Sequence, residues 1–212
     1  MIEESIAAGG AAQGLQLSDD IVTKLAALLS SLERWNQRVN LTAVRNIQDM
    51  IKLHILDSLS VRPFIQGPKV IDIGTGAGFP GLPLAIVEPD VDFVLLDSHG
   101  KKISFVTQMI VDLQLDNVKA VKERVEHYEP AVGFDTVMAR AVTSIPRLLA
   151  LAGHLIGDAG HMLVLKGRYP VEELETIMSK GQWQASVSQL VVAGLDSHAR
   201  HVISLRRKSS VS

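Results

Sequence analysis

The chain has 212 residues, of which 47% are hydrophobic and 21% charged, a composition typical of one globular α/β domain with a short extension. The absence of cysteine excludes disulfides, thiolate metal sites and cysteine nucleophiles. The net charge of −2 provides no general attraction to nucleic acid, so any such contact requires a local basic patch. Since the sequence has neither a membrane-spanning apolar run nor a signal peptide, we expect a cytoplasmic protein.

The first 65 residues are predicted to lie outside the main domain. Residues 1–16 are rich in glycine and alanine and predict a flexible tail. Ser18 is a good N-cap for a helix whose apolar residues recur at helical spacing from Ile21 to Leu32. A second helix is predicted over 47–61, and the two helices make residues 17–65 a helical extension.

Within the second helix, His54 and Asp57 stand three positions apart. Residues at this spacing share one face of an α-helix, so the pair predicts a structural hydrogen bond.

From Lys69 onwards, short apolar strands alternate with helices, which predicts a mostly parallel sheet covered on both faces. The strands are predicted over 69–73, 92–97, 117–121, 134–139 and 160–166, and the helices over 80–88, 101–114, 144–156 and 170–180. Segments 184–192 and 201–205 should pair as an antiparallel hairpin, because no helix fits between them. We therefore predict a domain over 66–208 with the seven-stranded sheet of the Rossmann-like class I methyltransferases.

A glycine-rich loop follows the first strand, in the sequence VIDIGTGAGFPG over 70–81. Its glycines permit a tight turn and the close approach of a ligand. They are Gly74, Gly76, Gly78 and Gly81. Asp97 ends the next strand, where an acidic side chain accepts hydrogen bonds from ribose hydroxyls. The loop and Asp97 together predict a nucleotide-type cofactor.

The glycines alone leave the identity of that cofactor open. Gly76, Gly78 and Gly81 also satisfy the G-x-G-x-x-G pattern of dinucleotide sites, and a tight turn without ligand is a further alternative. Two features favour S-adenosylmethionine. Asp72 can hold the amino group of this cofactor, directly or through water, whereas its charge would be unfavourable beside a pyrophosphate. The closing hairpin is the second feature.

Other candidates lie at the carboxyl edge of the sheet, where open α/β folds bind ligands. Val125 and Glu126 follow the third strand and are consistent with either an adenine site or a surface helix. Arg140 ends the fourth strand, and a cation there can hold a carboxylate or a phosphate. Further cations follow neighbouring strands: Lys101, Lys102, Lys166 and Arg168. The seven histidines show no metal-ligand spacing, so no metal is predicted.

Several segments carry a resemblance to a known family. They are RWNQRVNLTAVR (34–45), HILDSL (54–59), VIDIGTGAGFPGLPLAI (70–86), LLDS with KK (95–102), RVE (124–126), FDTVMARA (134–141) and LKG (165–167). In this order they resemble the glucose-inhibited division protein B family, bacterial enzymes that make 7-methylguanosine in small-subunit ribosomal RNA. The resemblance implies an S-adenosylmethionine-dependent methyltransferase that acts on N7 of a guanine in 16S ribosomal RNA or in the small subunit.

The resemblance also implies roles for individual residues. The cofactor contacts that the resemblance implies are Gly74, Phe79, Val125, Glu126 and Arg140, with Asp97 at the ribose. The resemblance also implies that Lys101, Arg124, Arg140 and Lys166 belong to or border the RNA-facing cleft. We predict Arg168 as a further RNA contact, and Arg140 and Lys166 as the catalytic candidates. Nothing in the sequence demands an oligomer, and we expect a monomer. The alternative hypotheses are a nicotinamide-dependent oxidoreductase and an RNA-binding assembly factor with a vestigial cofactor site.

Overall fold

The computed structural model describes residues 1–140, 143–196 and 199–208, and its centre is a seven-stranded sheet. The strands are β1 (Lys69–Ile73), β2 (Asp92–Asp97), β3 (Val118–Lys122), β4 (Phe134–Arg140), β5 (Ile156–Lys166), β6 (Trp183–Gln189) and β7 (His201–Arg207). Their order across the sheet is β3-β2-β1-β4-β5-β7-β6. The first five are parallel, and β7 runs antiparallel between β5 and β6. The predicted fold class, including the closing hairpin, is confirmed.

Helices cover both faces of this sheet. They are α1 (Ile2–Ala12), α2 (Asp19–Asn36), α3 (Ile47–Met50), α4 (Asp57–Leu59), α5 (Gly81–Val87), α6 (Gly100–Asp112), α7 (Ile145–Ala152) and α8 (Val171–Ser179). The first six pack into one apolar cluster on one face, and α7 and α8 pack into a second cluster on the other. Each crossover returns the chain to the same edge, so the carboxyl ends of β1 to β5 all meet there.

The second predicted helix contains an irregular turn. Between α3 and α4, residues Ile51–Leu56 form a π-helix, in which each backbone N–H binds a carbonyl five residues earlier. The wider turn moves residues three apart onto different faces. The predicted hydrogen bond between His54 and Asp57 is therefore wrong. Nε2 of His54 instead lies 3.0 Å from the hydroxyl of Thr42.

The predicted flexible tail over 1–16 is also wrong, because Ile2–Ala12 forms α1. Ile6 is fully buried in the shared core. Two glycines let the helix lie close to its neighbours. A Cβ at Gly9 would come within 2.5 Å of Leu56, and one at Gly10 within 2.9 Å of Leu17. The small residues that suggest a tail thus serve as a packing surface.

The N-terminal helices and the sheet share one apolar core, in which Leu28 and Leu59 join Val70 and Phe105. The predicted division into an extension over 17–65 and a domain over 66–208 accordingly stays a prediction. In the described part of the chain, no helix combines the length and the apolar character needed to cross a bilayer.

Candidate active site

The glycine loop turns sharply after β1. Gly74, Gly76 and Gly78 have φ angles of +64°, +61° and +86°, a region that side-chain-bearing residues rarely adopt. A Cβ at Gly78 would meet Leu82 at 2.4 Å, so this glycine allows the loop to close on α5. At Gly76 the nearest atom to such a Cβ is 4.0 Å away. The space above Gly76 is therefore open to a ligand.

Asp72 supports this loop from beneath. Its Oδ2 accepts hydrogen bonds from the hydroxyl of Thr75 at 2.7 Å and from the N–H of Gly81 at 3.0 Å. Burial raises the pKa of Asp72 to about 6, although these hydrogen bonds act in the opposite direction. The carboxyl is fully buried and does not line the cleft described below. Its position indicates support of the loop, whereas the sequence placed it at the amino group of a cofactor.

Asp97 lies at the end of β2, directly beside the loop. Its Oδ2 accepts a hydrogen bond from the N–H of Gly76 at 3.0 Å, and its Oδ1 accepts one from the N–H of His99 at 2.8 Å. Burial opposes ionisation of Asp97, but the hydrogen bonds from His99 and Gly76 and the charge of Lys102 outweigh it and lower the pKa. The site therefore holds a carboxylate next to the open space above Gly76.

A cleft of about 380 Å³ opens at this edge of the sheet, between the ends of β1 to β4 and α7. Seven residues singled out from the sequence line it: Gly74, Asp97, Lys102, Arg124, Val125, Glu126 and Arg140. The cleft also contains residues that the sequence interpretation did not assign to it, among them Ser98, His99, Glu123, Arg147 and Leu151. The rule that ligands bind at strand ends could have identified Ser98 and His99, which directly follow Asp97. Arg147 lies on a helix, and no spacing in the sequence relates it to the loop.

Arg140 ends β4 and forms part of a charged cluster with Asp57 and Arg200. Its Nη1 donates to Oδ2 of Asp57 at 3.2 Å and to the carbonyl of Leu53 at 3.3 Å. The other oxygen of Asp57 accepts a hydrogen bond from Nε of Arg200 at 3.0 Å. The three side chains come from α4, the end of β4 and the segment before β7. We refer to Arg140, Asp57 and Arg200 as the arginine–aspartate cluster.

Phe79 is buried beneath the glycine loop and packs against the ring of His54. The two rings stack with centroids 4.7 Å apart. Burial, together with the charge of Arg140, lowers the pKa of His54 to about 4, so the imidazole is neutral at pH 7. Asn36 holds the segment that carries Thr42, because its side-chain oxygen accepts hydrogen bonds from the N–H groups of Leu41 and Thr42. Phe79 thus connects the loop to the N-terminal helices.

Other predicted site residues lie outside the cleft. Lys166 binds both oxygens of Glu173, at 2.9 and 3.0 Å, and the carbonyl of Thr143 at 3.2 Å. This ion pair joins β5 to α8 and gives Lys166 a structural partner. Lys101 and Arg168 are exposed at the same edge of the sheet. Within the described ranges, no three acidic or histidine side chains are grouped in a way that could hold a metal ion.

The fold is shared with S-adenosylmethionine-dependent methyltransferases of known structure. A precorrin-6y C5,15-methyltransferase from Geobacter metallireducens superposes with a TM-score of 0.57 at 13% identity, over 79% of this chain and 91% of that chain. The structure of DhpI in complex with S-adenosylhomocysteine superposes with the same TM-score at 13% identity, over 90% of this chain and 98% of that chain. At such low identity these similarities establish the fold alone.

Sequence comparison identifies the family within this fold. A ribosomal RNA small subunit methyltransferase G from Idiomarina loihiensis is 44% identical over 195 residues, which cover 92% of this chain and 94% of that relative. Its counterpart from Aeromonas hydrophila is 46% identical over 193 residues, which cover 91% of this chain and 89% of that relative. The family model for GidB, described as rRNA small subunit methyltransferase G, matches residues 21–203. The chain therefore belongs to the GidB family of small-subunit ribosomal RNA methyltransferases.

Proposed function

We propose that the protein transfers a methyl group from S-adenosylmethionine to N7 of a guanine in 16S ribosomal RNA. The family match over residues 21–203 carries this proposal. The choice of N7 follows from the family resemblance of the NLTAVR, HILDS and ARA segments. An enzyme with this substrate acts where ribosomes are made, so we propose that it works in the cytoplasm, as a monomer.

The cleft fits S-adenosylmethionine. Asp97 offers a carboxylate to the ribose hydroxyls, as the corresponding acidic residue does in nucleotide sites. His99, whose side chain is 69% exposed, covers one oxygen of Asp97 and can turn outward to admit the ribose. We propose that the adenine lies beside Val125 and Glu126, which follow β3 and line the cleft, and that Gly74 and Gly76 leave room for the rest of the cofactor. Asp72 and Phe79 hold the loop in shape from below.

The reaction requires positioning more than acid–base chemistry. S-adenosylmethionine supplies a methyl group on a positively charged sulfur. The N7 atom of guanine carries a lone pair and no proton at neutral pH, so the protein needs no obligatory general base. Its task is to hold N7 in line with the methyl group, and such positioning can lower a reaction barrier by about 7 to 11 kcal/mol. We propose that Arg140, which lines the cleft, contacts the cofactor and so helps to position its methyl group.

Cations around the cleft support an RNA substrate. Arg124 lines the cleft with its side chain 69% exposed, and Lys101 and Arg168 lie exposed at the same edge. Phosphate contacts by such residues would hold the RNA in register on the protein. The purine becomes cationic on methylation, so these side chains should bind phosphates and avoid the ring. We propose that Lys166 acts indirectly, through its ion pair with Glu173 beside the cleft.

The test is methyl transfer from labelled S-adenosylmethionine to small-subunit particles that lack the modification, followed by mapping of the methylated nucleotide. We expect incorporation at a single guanine N7. Free 16S ribosomal RNA tested in parallel identifies the preferred substrate form. A protein that binds S-adenosylhomocysteine in calorimetry but transfers no methyl group to either substrate would contradict the proposal and favour an assembly factor. Binding of NADH in place of S-adenosylhomocysteine would favour an oxidoreductase.

A further inference from the structure

The arginine–aspartate cluster joins three parts of the chain that are distant in sequence. Asp57 is separated from Arg140 by 83 positions and from Arg200 by 143. Asp57 is 5% exposed, and each of its two oxygens is bound by a different guanidinium group. A carboxylate with a separate donor on each oxygen is fixed in one orientation, because rotation would break both bonds. Asp57 is therefore a rigid acceptor at the end of β4.

The contacts of Arg140 leave most of its guanidinium free. Both of its recorded hydrogen bonds, to Asp57 and to the carbonyl of Leu53, use the same atom, Nη1. Nε and Nη2 have no partner among the described residues. Leu53 belongs to the π-helical segment, so Arg140 is held by this segment as well as by Asp57. Arg140 is thus held on one side while it lines the cleft on the other.

Asp57 itself does not line the cleft. It therefore makes no contact with a cofactor bound there, and its contacts with Arg140 are the direct structural connection between Asp57 and the cleft. A long arginine side chain loses considerable conformational freedom when it is fixed, and a partner that fixes it in advance reduces the entropy lost on binding. The geometry points to such preorganisation of Arg140.

We infer that Asp57 is a positioning residue, which fixes Arg140 at the cofactor cleft for methyl transfer. The inference rests on the proposed function, in which Arg140 contacts the cofactor. In the Asp57→Asn variant an amide replaces one carboxylate oxygen and cannot accept from both arginines. Arg140 then loses its charged partner while the volume of residue 57 is preserved. Hydrogen bonds to charged groups are strong enough that we expect S-adenosylhomocysteine to bind about tenfold more weakly.

A double-mutant cycle tests whether the effect passes through Arg140. The dissociation constant for S-adenosylhomocysteine is measured by calorimetry on the full chain and on three variants, Asp57→Asn, Arg140→Gln and the double variant. If Asp57 acts through Arg140, adding Asp57→Asn to Arg140→Gln changes the constant by less than about twofold. Equal weakening by Asp57→Asn in both backgrounds would overturn the inference. So would an unchanged constant in the single variant.

Two further variants separate positioning from folding. Asp135→Asn makes the same chemical change at the other end of β4, where Asp135 accepts a hydrogen bond from the N–H of Lys69. It should leave cofactor binding unchanged. If Asp57→Asn does not fold, Asp57→Glu is used in its place, because it keeps the charge. We expect it to weaken S-adenosylhomocysteine binding in the parent background but not in the Arg140→Gln background. Weakening by Asp57→Glu in both backgrounds would refute the inference.

The binding measurements do not depend on the RNA substrate. A parent protein that binds S-adenosylhomocysteine but methylates no guanine would overturn the proposed function and leave the cycle interpretable. Conversely, single-site methylation by the parent together with an additive cycle would overturn only the role of Asp57.

Discussion

The buried carboxyl of Asp72 should make the stability of the protein depend on pH in an unusual direction. Burial raises its pKa from 3.8 to about 6 in the folded state. The folded protein therefore binds a proton at Asp72 more tightly than the unfolded chain does. Between these two values the unfolded chain releases the proton first, so the contribution of Asp72 to stability falls as pH rises. Carboxylates that are ion-paired or hydrogen-bonded in the folded state, and so have lowered pKa values, act in the opposite sense.

The size of the effect follows from the two pKa values. At about 1.4 kcal/mol per pKa unit, the rise from 3.8 to about 6 corresponds to about 3 kcal/mol at pH 8. At pH 4 most of this cost is absent, because the folded protein is protonated at Asp72. Asp72→Asn abolishes the titration and retains an oxygen that can accept from Thr75 and Gly81. The stability of the variant relative to the parent should accordingly rise by about 2 kcal/mol from pH 4 to pH 8.

Urea unfolding at several pH values, followed by tryptophan fluorescence, measures this difference. Using the difference between parent and variant removes contributions from the other carboxyl groups. Asp116→Asn, on the exposed turn before β3, corrects for the general loss of one acidic side chain. A difference between Asp72→Asn and the parent that stays constant with pH would refute the reasoning. If the free energy of unfolding of the parent instead rises relative to that of Asp72→Asn as pH increases, Asp72 is stabilised as a carboxylate.

Three further predictions concern α1, the glycine loop and the cofactor. Ile6→Ala should lower the free energy of unfolding by about 2 to 5 kcal/mol in urea titration, because the side chain is fully buried; no loss would mean that α1 is not docked. Gly78→Ala should destabilise the protein by more than about 1 kcal/mol in thermal unfolding, because its φ is +86° and Leu82 occupies the Cβ position. Asp97→Asn should weaken S-adenosylhomocysteine binding at least about tenfold in calorimetry, and an unchanged constant would exclude Asp97 from the ribose site.

The sheet and its glycine loop could be predicted because their signals are local. Strands such as β1 and β2 show as short apolar runs, and the turn between β1 and α5 needs glycines that the sequence displays. The position of Asp97 at the ligand-binding edge could be predicted because Asp97 is the last residue of the predicted strand over 92–97. Periodicity and turn chemistry act over a few residues, so they are visible without knowledge of the partners that each element meets in the fold.

The features that the sequence did not predict depend on contacts between segments that are distant along the chain. The burial of α1 depends on Leu56 and Leu17 fitting against Gly9 and Gly10, which composition alone cannot reveal. The π-helical turn at Ile51–Leu56 changed which side chains share a face. The pairing of Asp57 with two arginines likewise has no local signal, because the residues share no spacing rule. In each case tertiary packing overrode a reasonable local interpretation.

The position of β7 has a consequence for how the protein is made. The last strand along the described chain lies between β5 and β6, and β6 reaches the sheet only through it. Until residues 201–207 leave the ribosome, a nascent chain exposes one edge of β5 and leaves β6 without a partner. Unpaired edges of this kind favour aggregation. The sheet can therefore close only after residues 201–207 have left the ribosome, and a cut after Gly194 should yield a chain that needs chaperones to stay in solution.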